Sequence, residues 1–340
     1  KKKTKKNKVS KTQKKNNKNN IYNQLSFTQK ILTKSEFKKL EYPYRHLQVS
    51  ENKMLDDFNK LKDFQYKTVK IRVNRSYKNK RIVFLEDYDK YKELYKITDY
   101  FSHPCRVKCV FNIVEKKSVL DLFQKNKVKI ENSLVKKNLD FTYENIEEEI
   151  YQYFKQCTNF NTTIAISILK IFKPSKWLDF SAGWGDRLVS AIAYGCDYTG
   201  VDPSECMGPI YHKIINTLNP KQKNKYQIIH DGFENAKIKE NEYDLVFTSP
   251  PFFDFEIYET KEKQSTSKFK NVQSWRDYFL FPAITKSIMS LKKKGNLVLY
   301  ITDFNNNKYI GDMFYFIKKN FKNVSYEGNL YWVNESNFRK

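Results

Sequence analysis

Apolar runs of strand length alternate with helical patterns from about residue 141 onward. The patterns predict strands at Trp177–Phe180, Asp197–Asp202, Tyr226–His230, Tyr243–Phe247 and Gly295–Ile301. They predict helices at Tyr143–Lys155, at Thr162–Phe172, from Asp186, from about Met207, at Val272–Leu291 and near Lys308–Asn320. Such alternation favours a parallel, doubly wound α/β sheet. A closing hairpin, Val324–Tyr326 with Leu330–Val333, is expected to add an antiparallel edge and complete seven strands.

Residues 21–140 carry a different, mixed pattern, and we expect them to form an α+β N-terminal domain before a second domain at 141–340. Strands are predicted at Lys67–Val73, Arg81–Glu86 and Cys105–Ile113, the last because Cys105, Val107, Cys109 and Phe111 alternate with a basic-leaning face. Five basic residues surround a predicted turn: Arg72, Arg75, Lys78, Lys80 and Arg81. They fit either a nucleic-acid backbone contact or a solvated basic hairpin.

The charge of the chain is strongly positive. Its 340 residues carry a formal net charge of +25, and residues 1–20 hold ten lysines and no acid, which leaves +15 (25 − 10) for the rest. The first 20 residues cannot bury a core, so a disordered basic tail is expected. The surplus favours a polyanionic partner, most simply nucleic acid, with a solvated lysine-rich surface as the alternative.

Five cysteines, at 105, 109, 157, 196 and 206, show no spacing typical of secreted disulfide proteins. A reducing, intracellular compartment, cytoplasmic or nuclear, is therefore expected. His103, Cys105 and Cys109 resemble the start of a metal site, but no second ligand cluster follows, so no metal is predicted. The sequence has no signal peptide and no apolar run of about 18 residues, so a soluble protein without a membrane partner is expected.

Acidic residues stand at the ends of three successive predicted strands: Asp179, Asp202 and Asp231. A helix N-cap is the simplest role for one such acid, but three in succession favour a ligand site. Gly183 and Gly185 follow the first of them, and glycines allow a tight turn and close approach of a ligand to the backbone. In open α/β sheets, ligands bind beyond the carboxyl ends of the strands.

The tetrapeptide Ser249-Pro250-Pro251-Phe252 follows the apolar run Tyr243–Phe247. Proline fixes its own φ, donates no hydrogen bond and pushes the preceding residue toward extended geometry. The result is a rigid corner in which the Ser249 hydroxyl and the Pro250 carbonyl point outward beside the flat face of Phe252. Such a corner suits the amino group of a planar base, although a merely rigid turn has the same sequence.

With these two motifs in order, residues 160–335 resemble class I S-adenosylmethionine-dependent methyltransferases with a Rossmann-like sheet. More narrowly, they resemble the enzymes that methylate exocyclic amino groups of nucleic-acid bases, the adenine-N6 and cytosine-N4 DNA methyltransferases. Those enzymes carry an Asp-Pro-Phe-x-Gly-x-Gly-like loop and an (Asn/Asp/Ser)-Pro-Pro-(Tyr/Phe/Trp) tetrapeptide. Here the loop is Asp179-Phe-Ser181-Ala-Gly183-Trp-Gly185, so its Pro and Phe positions differ.

The resemblance implies roles for these residues. Asp202 would hold the ribose of S-adenosyl-L-methionine and Asp231 its adenine, while Asp179, Ser181, Gly183 and Gly185 would line the methionine end, with Asn161–Thr163 as a further contact. Ser249, Pro250, Pro251 and Phe252 would be catalytic: the first two accept the two N–H bonds of the target amine, and Phe252 stacks on a base flipped out of DNA. Serine at the first position tilts the target toward cytosine.

Three alternatives share these motifs: an RNA amino-methyltransferase, a protein-glutamine methyltransferase, and a non-catalytic DNA-binding subunit. The lysine-rich stretch Glu259–Asn271, after Asp254, Glu256 and Tyr258, is either a flap that closes over the substrate or a disordered insertion. Trp275, at the start of the next helix, is expected in the core.

Overall fold

A computed structural model describes residues 30–72, 80–111, 116–253, 256–258, 265–303 and 307–335. The predicted tail at 1–20, Arg75, Lys78, Asp254 and residues 259–264 lie outside this part of the chain. Within it, every helix is too short or too polar to cross a membrane.

The first half of the chain is mainly helical. Its elements are α1 (Lys34–Lys39), α2 (Arg45–Gln48), α3 (Glu51–Lys62), β1 (Lys67–Arg72), β2 (Lys80–Glu86), α4 (Tyr88–Tyr95), α5 (Asp99–Arg106), β3 (Val110–Phe111), α6 (Val119–Lys125), α7 (Lys127–Lys136) and α8 (Tyr143–Tyr153). Ser50 and Thr142 accept hydrogen bonds from the first turns of α3 and α8, which fixes where these helices begin.

The second half alternates helices and strands. It comprises α9 (Thr162–Phe172), β4 (Lys176–Asp179), α10 (Asp186–Tyr194), β5 (Asp197–Val201), α11 (Met207–Leu218), a 3₁₀ helix (Pro220–Lys225), β6 (Tyr226–Ile229), β7 (Tyr243–Thr248), β8 (Glu256–Ile257), α12 (Ser265–Lys268), α13 (Val272–Trp275), a π-helical turn (Arg276–Leu280), α14 (Phe281–Ser290), β9 (Leu291–Leu299), α15 (Ile310–Asn320) and β10 (Gly328–Asn334). The predicted helix at Val272–Leu291 is thus present but widens into a π turn before Pro282, whose ring cannot fit a regular α-helical turn.

The central sheet is parallel, in the order β6-β5-β4-β7-β9. This order reverses direction at β4, as in a doubly wound, Rossmann-like sheet, and confirms the predicted fold class. Trp177 packs in one core cluster and the next residue, Leu178, in another. Both are fully buried because alternate side chains of a parallel strand face opposite, covered sides of the sheet.

The predicted closing hairpin is wrong, so the central sheet has five strands rather than seven in the described part of the chain. Residues 324–326 form no strand, and β10 pairs in parallel with β2 instead, which itself pairs antiparallel with β1. Trp332 stacks on Phe84, with ring centroids 4.3 Å apart. Burying these rings against the helical half outweighs the local turn signal at Gly328.

The predicted strand at Cys105–Ile113 is also wrong. Cys105 and Arg106 close helix α5, and only Val110 and Phe111 form a strand. Arg106 lies in the basic-leaning face of the predicted strand. In the structure it is 4% exposed and makes an ion pair with Asp99 through two hydrogen bonds. The alternation of apolar residues therefore reflected contacts across a helix end and a turn, not the two faces of a strand.

One core cluster contains side chains from both sides of residue 140. Met54, Phe58 and Phe101 pack with Trp177 and Phe247 in it. The boundary that we predict at residue 140 stays a prediction, but the residues before it share their core with the central sheet. They therefore form one side of the framework that positions the site.

Candidate active site

A cavity of about 610 Å³ opens where the strands of the central sheet end. Its walls include Gly183 after β4, Asp202 after β5, Gly232 after β6 and Ser249 after β7. The segment before α9 adds a further wall, from Thr158 to Asn161. Carboxyl ends of neighbouring parallel strands meet at one edge of the sheet, so the topology alone brings these loops together.

The two glycines of the loop after β4 do different things. Gly183 has φ +60°, lines the cavity, and would let a ligand approach the backbone. Gly185 has φ +94° and does not line the cavity. A Cβ at this position would lie only 2.8 Å from the Ile214 side chain, so only glycine fits there. Gly185 thus permits close packing of α10 on α11. Ser181, the other predicted loop residue, does line the cavity.

Asp202 presents its carboxylate to the cavity. One oxygen, Oδ2, accepts the Gly183 N–H at 2.8 Å, and the other, Oδ1, accepts the Ser204 N–H at 3.0 Å. A carboxylate oxygen can accept two hydrogen bonds, so each keeps acceptor capacity for a ligand. Burial raises the pKa of Asp202 to about 6, and the two N–H groups oppose that rise. The position fits an acceptor for the hydroxyls of a ribose.

Asp179 lies behind the cavity wall and does not line it. Its oxygens accept hydrogen bonds from Thr248 Oγ1 at 2.7 Å, from Tyr198 OH at 2.8 Å and from Arg187 Nε at 2.8 Å. These partners come from β7, β5 and α10, and Asp179 itself is fully buried. Its carboxylate therefore ties three strand ends and a helix together.

Asp231, the acid predicted to hold adenine, is exposed and also lies off the cavity. It accepts hydrogen bonds from the Gly232 N–H at 2.7 Å and from Asn235 Nδ2 at 3.1 Å. The neighbouring Phe233 lines the cavity instead and stacks on Phe180, with centroids 4.6 Å apart. Adenine contacts at this loop would thus be made by the main chain and by an aromatic ring.

A lysine fixes the shape of that loop. The Lys286 ammonium donates to the carbonyls of Phe233 at 2.6 Å, Glu234 at 3.0 Å and Ala236 at 3.0 Å. It also lies 5.0 Å from the centroid of the Phe233 ring. Burial lowers the pKa of Lys286. The loop after β6 is therefore held from α14, across the edge of the sheet.

All four residues of the predicted corner line the cavity: Ser249, Pro250, Pro251 and Phe252. Neither the Ser249 hydroxyl nor the Pro250 carbonyl has a hydrogen-bond partner among the residues that the structure describes. The next residue, Phe253, has φ +52°, a left-handed conformation that costs roughly 1–2 kcal/mol in a residue with a Cβ. That turn buries Phe253 against Trp275, which is fully buried as predicted, while Phe252 stays at the cavity.

Aromatic rings surround the corner. Tyr300 lies 6.3 Å from Phe252 and 5.2 Å from Phe160, measured between ring centroids. All three rings line the cavity. The sequence patterns did not single out Phe160 or Tyr300 because they come from loops far apart in the chain. Their shared position gives the cavity an apolar wall suited to a planar ring.

Three further acids, for which the sequence predicts no role, line the cavity: Asp186, Glu234 and Glu256. Glu256 accepts a hydrogen bond from Tyr258 OH at 2.8 Å, and burial raises its pKa. Asp186 stands at the first position of α10 and is 2% exposed. In the sequence, Asp186 is marked only by its position directly after Gly185, and an acid at that position is equally typical of an ordinary helix start. Of the segment Asn161–Thr163, only Asn161 lines the cavity.

The described part of the segment after the corner reaches across the cavity. Lys268 and Phe269 line it, and Lys268 makes an ion pair with Glu234 in the loop after β6. Strand β8 pairs with β3 from the first half of the chain. This segment therefore supplies cavity wall, in keeping with the interpretation as a flap.

Four of the five cysteines form disulfides: Cys105 with Cys206, and Cys109 with Cys157. The sequence spacing therefore did not exclude disulfides. The ligand atoms of Cys109, Cys157 and Glu256 lie within 4.8 Å of one another, but disulfide sulfurs are not the thiolates that bind metal. His103 is apart from them: its Nδ1 accepts the Arg45 N–H at 3.1 Å, and burial lowers its pKa to about 3. The absence of a metal site stays a prediction.

No family model matches the chain, and no curated protein does. Among solved structures, it is similar to the glycopeptide N-methyltransferase MtfA complexed with sinefungin (12% identity, 42% of this chain, 55% of that one, TM-score 0.31). It is similar also to 1,6-didemethyltoxoflavin-N1-methyltransferase of Burkholderia thailandensis with bound S-adenosylhomocysteine (13% identity, 43% of this chain, 53% of that one, TM-score 0.30). A third similar structure is the CcbJ methyltransferase of Streptomyces caelestis (14% identity, 42% of this chain, 53% of that one, TM-score 0.29). The alignments span less than two thirds of each of these chains, and at such TM-scores they add nothing to the strand order described above.

Proposed function

We propose that this chain is an S-adenosyl-L-methionine-dependent methyltransferase acting on the exocyclic amino group of a DNA base, adenine N6 or cytosine N4. The observation that carries the proposal is the shared cavity: the acceptors of Ser249 and Pro250 and the ring of Phe252 line the same space as Gly183 and Asp202. A methyl-donor site and an amine-binding corner would then face each other.

The residues present fit the cofactor. Asp202 offers acceptor capacity toward the cavity, as two vicinal ribose hydroxyls require, and Gly183 leaves its backbone open to close approach. Pro203, Met207 and Phe233 line the same part of the cavity and offer apolar surface to a planar adenine. When bound, S-adenosyl-L-methionine supplies a methyl group on a cationic sulfur.

The corner would supply the activation of the amine. An exocyclic amino nitrogen is a poor nucleophile because its lone pair is delocalised into the ring. Ser249 Oγ and the Pro250 carbonyl oxygen would accept its two N–H bonds and draw the nitrogen toward tetrahedral geometry, which frees the lone pair. The amine nitrogen would form its bond to the methyl carbon as the carbon–sulfur bond of the donor breaks, and the nitrogen would then lose one proton to solvent. Phe252 would stack on the base, with Phe160 and Tyr300 beside it.

The net charge of +25 supports a nucleic-acid substrate and favours it over a protein glutamine. A DNA base would have to leave the helical stack to reach a cavity at this depth. Nothing in the arrangement of the described residues favours adenine over cytosine, and the serine at position 249 is the only feature that tilts the choice toward cytosine.

The test is incubation of the protein with labelled S-adenosyl-L-methionine and, separately, duplex DNA, single-stranded DNA, RNA and protein, followed by mass spectrometry of the modified residue. The expected product is N6-methyldeoxyadenosine or N4-methyldeoxycytidine, released from the DNA. Label found only in RNA or in glutamine would replace DNA as the substrate. Cofactor binding without transfer to any of them would favour the non-catalytic subunit.

Variants at the corner test the mechanism. We expect Ser249→Ala and Phe252→Ala each to lower turnover by about 10²-fold while cofactor affinity changes little. Ser325→Ala and Phe314→Ala are matched controls, because both residues are exposed and lie away from the cavity. Full turnover in both corner variants would rule out this grip on the amine.

A further inference from the structure

The carboxylate of Asp186 is buried in the cavity wall with one oxygen unused. Asp186 is 2% exposed and lines the cavity. Its Oδ2 accepts the Phe160 N–H at 3.3 Å, whereas its Oδ1 is buried and has no hydrogen-bond partner among the residues that the structure describes. Leaving a buried carboxylate oxygen unpaired is costly, so the arrangement requires an explanation.

A second unused acceptor belongs to the adjacent segment. Asn159 Nδ2 donates to Asp99 Oδ1 at 3.0 Å, which fixes the orientation of the amide. Its Oδ1 is buried without a hydrogen-bond partner in the described part of the chain, and Asn159 also lines the cavity. Because the Phe160 N–H bonds to Asp186, the Asn159–Phe160 segment and the start of α10 are neighbours. One wall of the cavity therefore carries two unsatisfied oxygens.

The other acid of the loop after β4 and two of its carbonyl oxygens already accept hydrogen bonds. Asp179 accepts three side-chain hydrogen bonds and lies off the cavity. The Ser181 carbonyl accepts from Arg187, and the Gly183 carbonyl accepts from Tyr211 OH. Asp186 is consequently the acid of this loop that remains available to a ligand.

We propose that Asp186, assisted by Asn159, binds the ammonium group at the amino-acid end of S-adenosyl-L-methionine, in place of Asp179. An ammonium group has three donors and no acceptor, so it can donate to both of these unsatisfied oxygens. Its positive charge also compensates the buried carboxylate. This inference rests on the proposed function, since it assumes that the cavity takes this cofactor.

The electrostatic surroundings of Asp186 agree with this assignment. Burial raises its pKa to about 7, a neighbouring Asp99 adds to the rise, and Arg187 and Arg106 oppose it. The Thr98 hydroxyl also lowers the pKa of Asp186, although it has no hydrogen-bond partner among the described residues. At pH 8 the carboxylate is mainly charged, and binding should be measured there.

The experiment is calorimetry at pH 8 with two ligands, S-adenosylhomocysteine and its analogue in which hydrogen replaces the amino group. The wild-type protein should bind S-adenosylhomocysteine about 10- to 100-fold more tightly, the range of a charge-assisted hydrogen bond. In Asp186→Asn this preference should fall below about threefold, because the neutral amide keeps the shape and the Phe160 contact but loses the charge. Asp56→Asn, at an exposed acid off the cavity, should keep the full preference.

Each contrary outcome has a separate meaning. Equal affinity of the wild-type protein for the two ligands overturns the assignment of Asp186 and leaves the proposed function standing. The same is true if Asp186→Asn weakens both ligands equally, since that result indicates a structural role with Thr98. Absence of binding to either ligand by the folded wild-type protein overturns the proposed function itself. If Asp186→Asn does not fold, Asp186→Ser takes its place, because it also removes the charge, and a full preference in that variant overturns the assignment.

Discussion

Two acids end neighbouring strands of the central sheet, and their surroundings separate them. Asp179 is fully buried, and its carboxylate accepts hydrogen bonds from Thr248, Tyr198 and Arg187. Asp202 lines the cavity, and within the described part of the chain its carboxylate accepts hydrogen bonds from two backbone N–H groups. An acid at a strand end is therefore not in itself a ligand contact. The hydrogen bonds that it already accepts determine whether it holds the fold together or binds a ligand.

The largest difference should appear in stability. Asp179→Asn removes the charge that compensates the buried Arg187, which should lower the free energy of unfolding by about 3–5 kcal/mol. Asp202→Asn should change it by less than about 1 kcal/mol, because the hydrogen bonds that Asp202 accepts come from neutral backbone N–H groups and its burial already disfavours the ionised form. Urea unfolding at pH 8 measures both values. Similar losses in the two variants would contradict the division between a structural and a ligand-binding acid.

The two disulfides allow the contribution to stability of two parts of the cavity wall, the loop after Asp202 and the segment Thr158–Asn161, to be tested separately. Cys206 lies shortly after Asp202, and Cys157 lies directly before the wall formed by Thr158–Asn161. Their partners are 101 and 48 residues away, so each bond closes a long loop and should contribute about 2–4 kcal/mol.

The corresponding variants are Cys105→Ser and Cys109→Ser, measured by urea unfolding without reductant. Cys196→Ser is the matched control, since Cys196 is buried and unpaired. Reductant should destabilise the wild-type protein and the control and have less effect on either variant. A wild-type protein that is insensitive to reductant would show that the disulfides do not form in solution.

The smallest expected effect is a pH dependence of ligand binding at Asp202. Adenosine isolates this residue, because it carries the ribose but no amino-acid end. Protonation of the carboxylate below its pKa of about 6 removes an acceptor, so adenosine affinity should fall as the pH drops through 6, by at most about tenfold per pH unit. Asp202→Asn should bind weakly at every pH. An unchanged wild-type affinity between pH 8 and pH 5 would argue against the ribose contact.

The same pKa has the opposite effect on stability. Because the pKa in the folded protein lies above the ordinary value, the folded state binds the proton more tightly than the unfolded state does. The contribution of Asp202 to stability is therefore unfavourable above pH 6 and becomes less so as the pH falls.

The sequence predicted the central sheet well because buried parallel strands are mostly apolar runs, as in Tyr243–Thr248. It also identified Gly183, Asp202 and Ser249–Phe252, which the sheet brings to one cavity. Local pattern failed where distant residues decide the structure. Helix α5 carries a proline, yet its buried ion pair and its disulfide belong to contacts that periodicity does not encode.

The remaining site residues could not be found for a similar reason. Phe160, Asp186 and Tyr300 carry no motif, and their importance comes from the loops that lie beside them. The fate of Asp179 also depends on three partners spread over residues 187–248. A strand-end acid in a sequence therefore predicts a place near the site, and the surrounding donors decide its use.

The pairing of β10 with β2 constrains how the chain can acquire its structure during synthesis. Strand β2 emerges from the ribosome early, but its parallel neighbour, Gly328–Asn334, follows only after the whole central sheet has been made. Until then one edge of β2 is open, and an open edge can pair with another chain. Expression of residues 30–140 alone, or of 141–335 alone, should therefore yield aggregation-prone fragments, whereas co-expression of the two could restore the shared sheet.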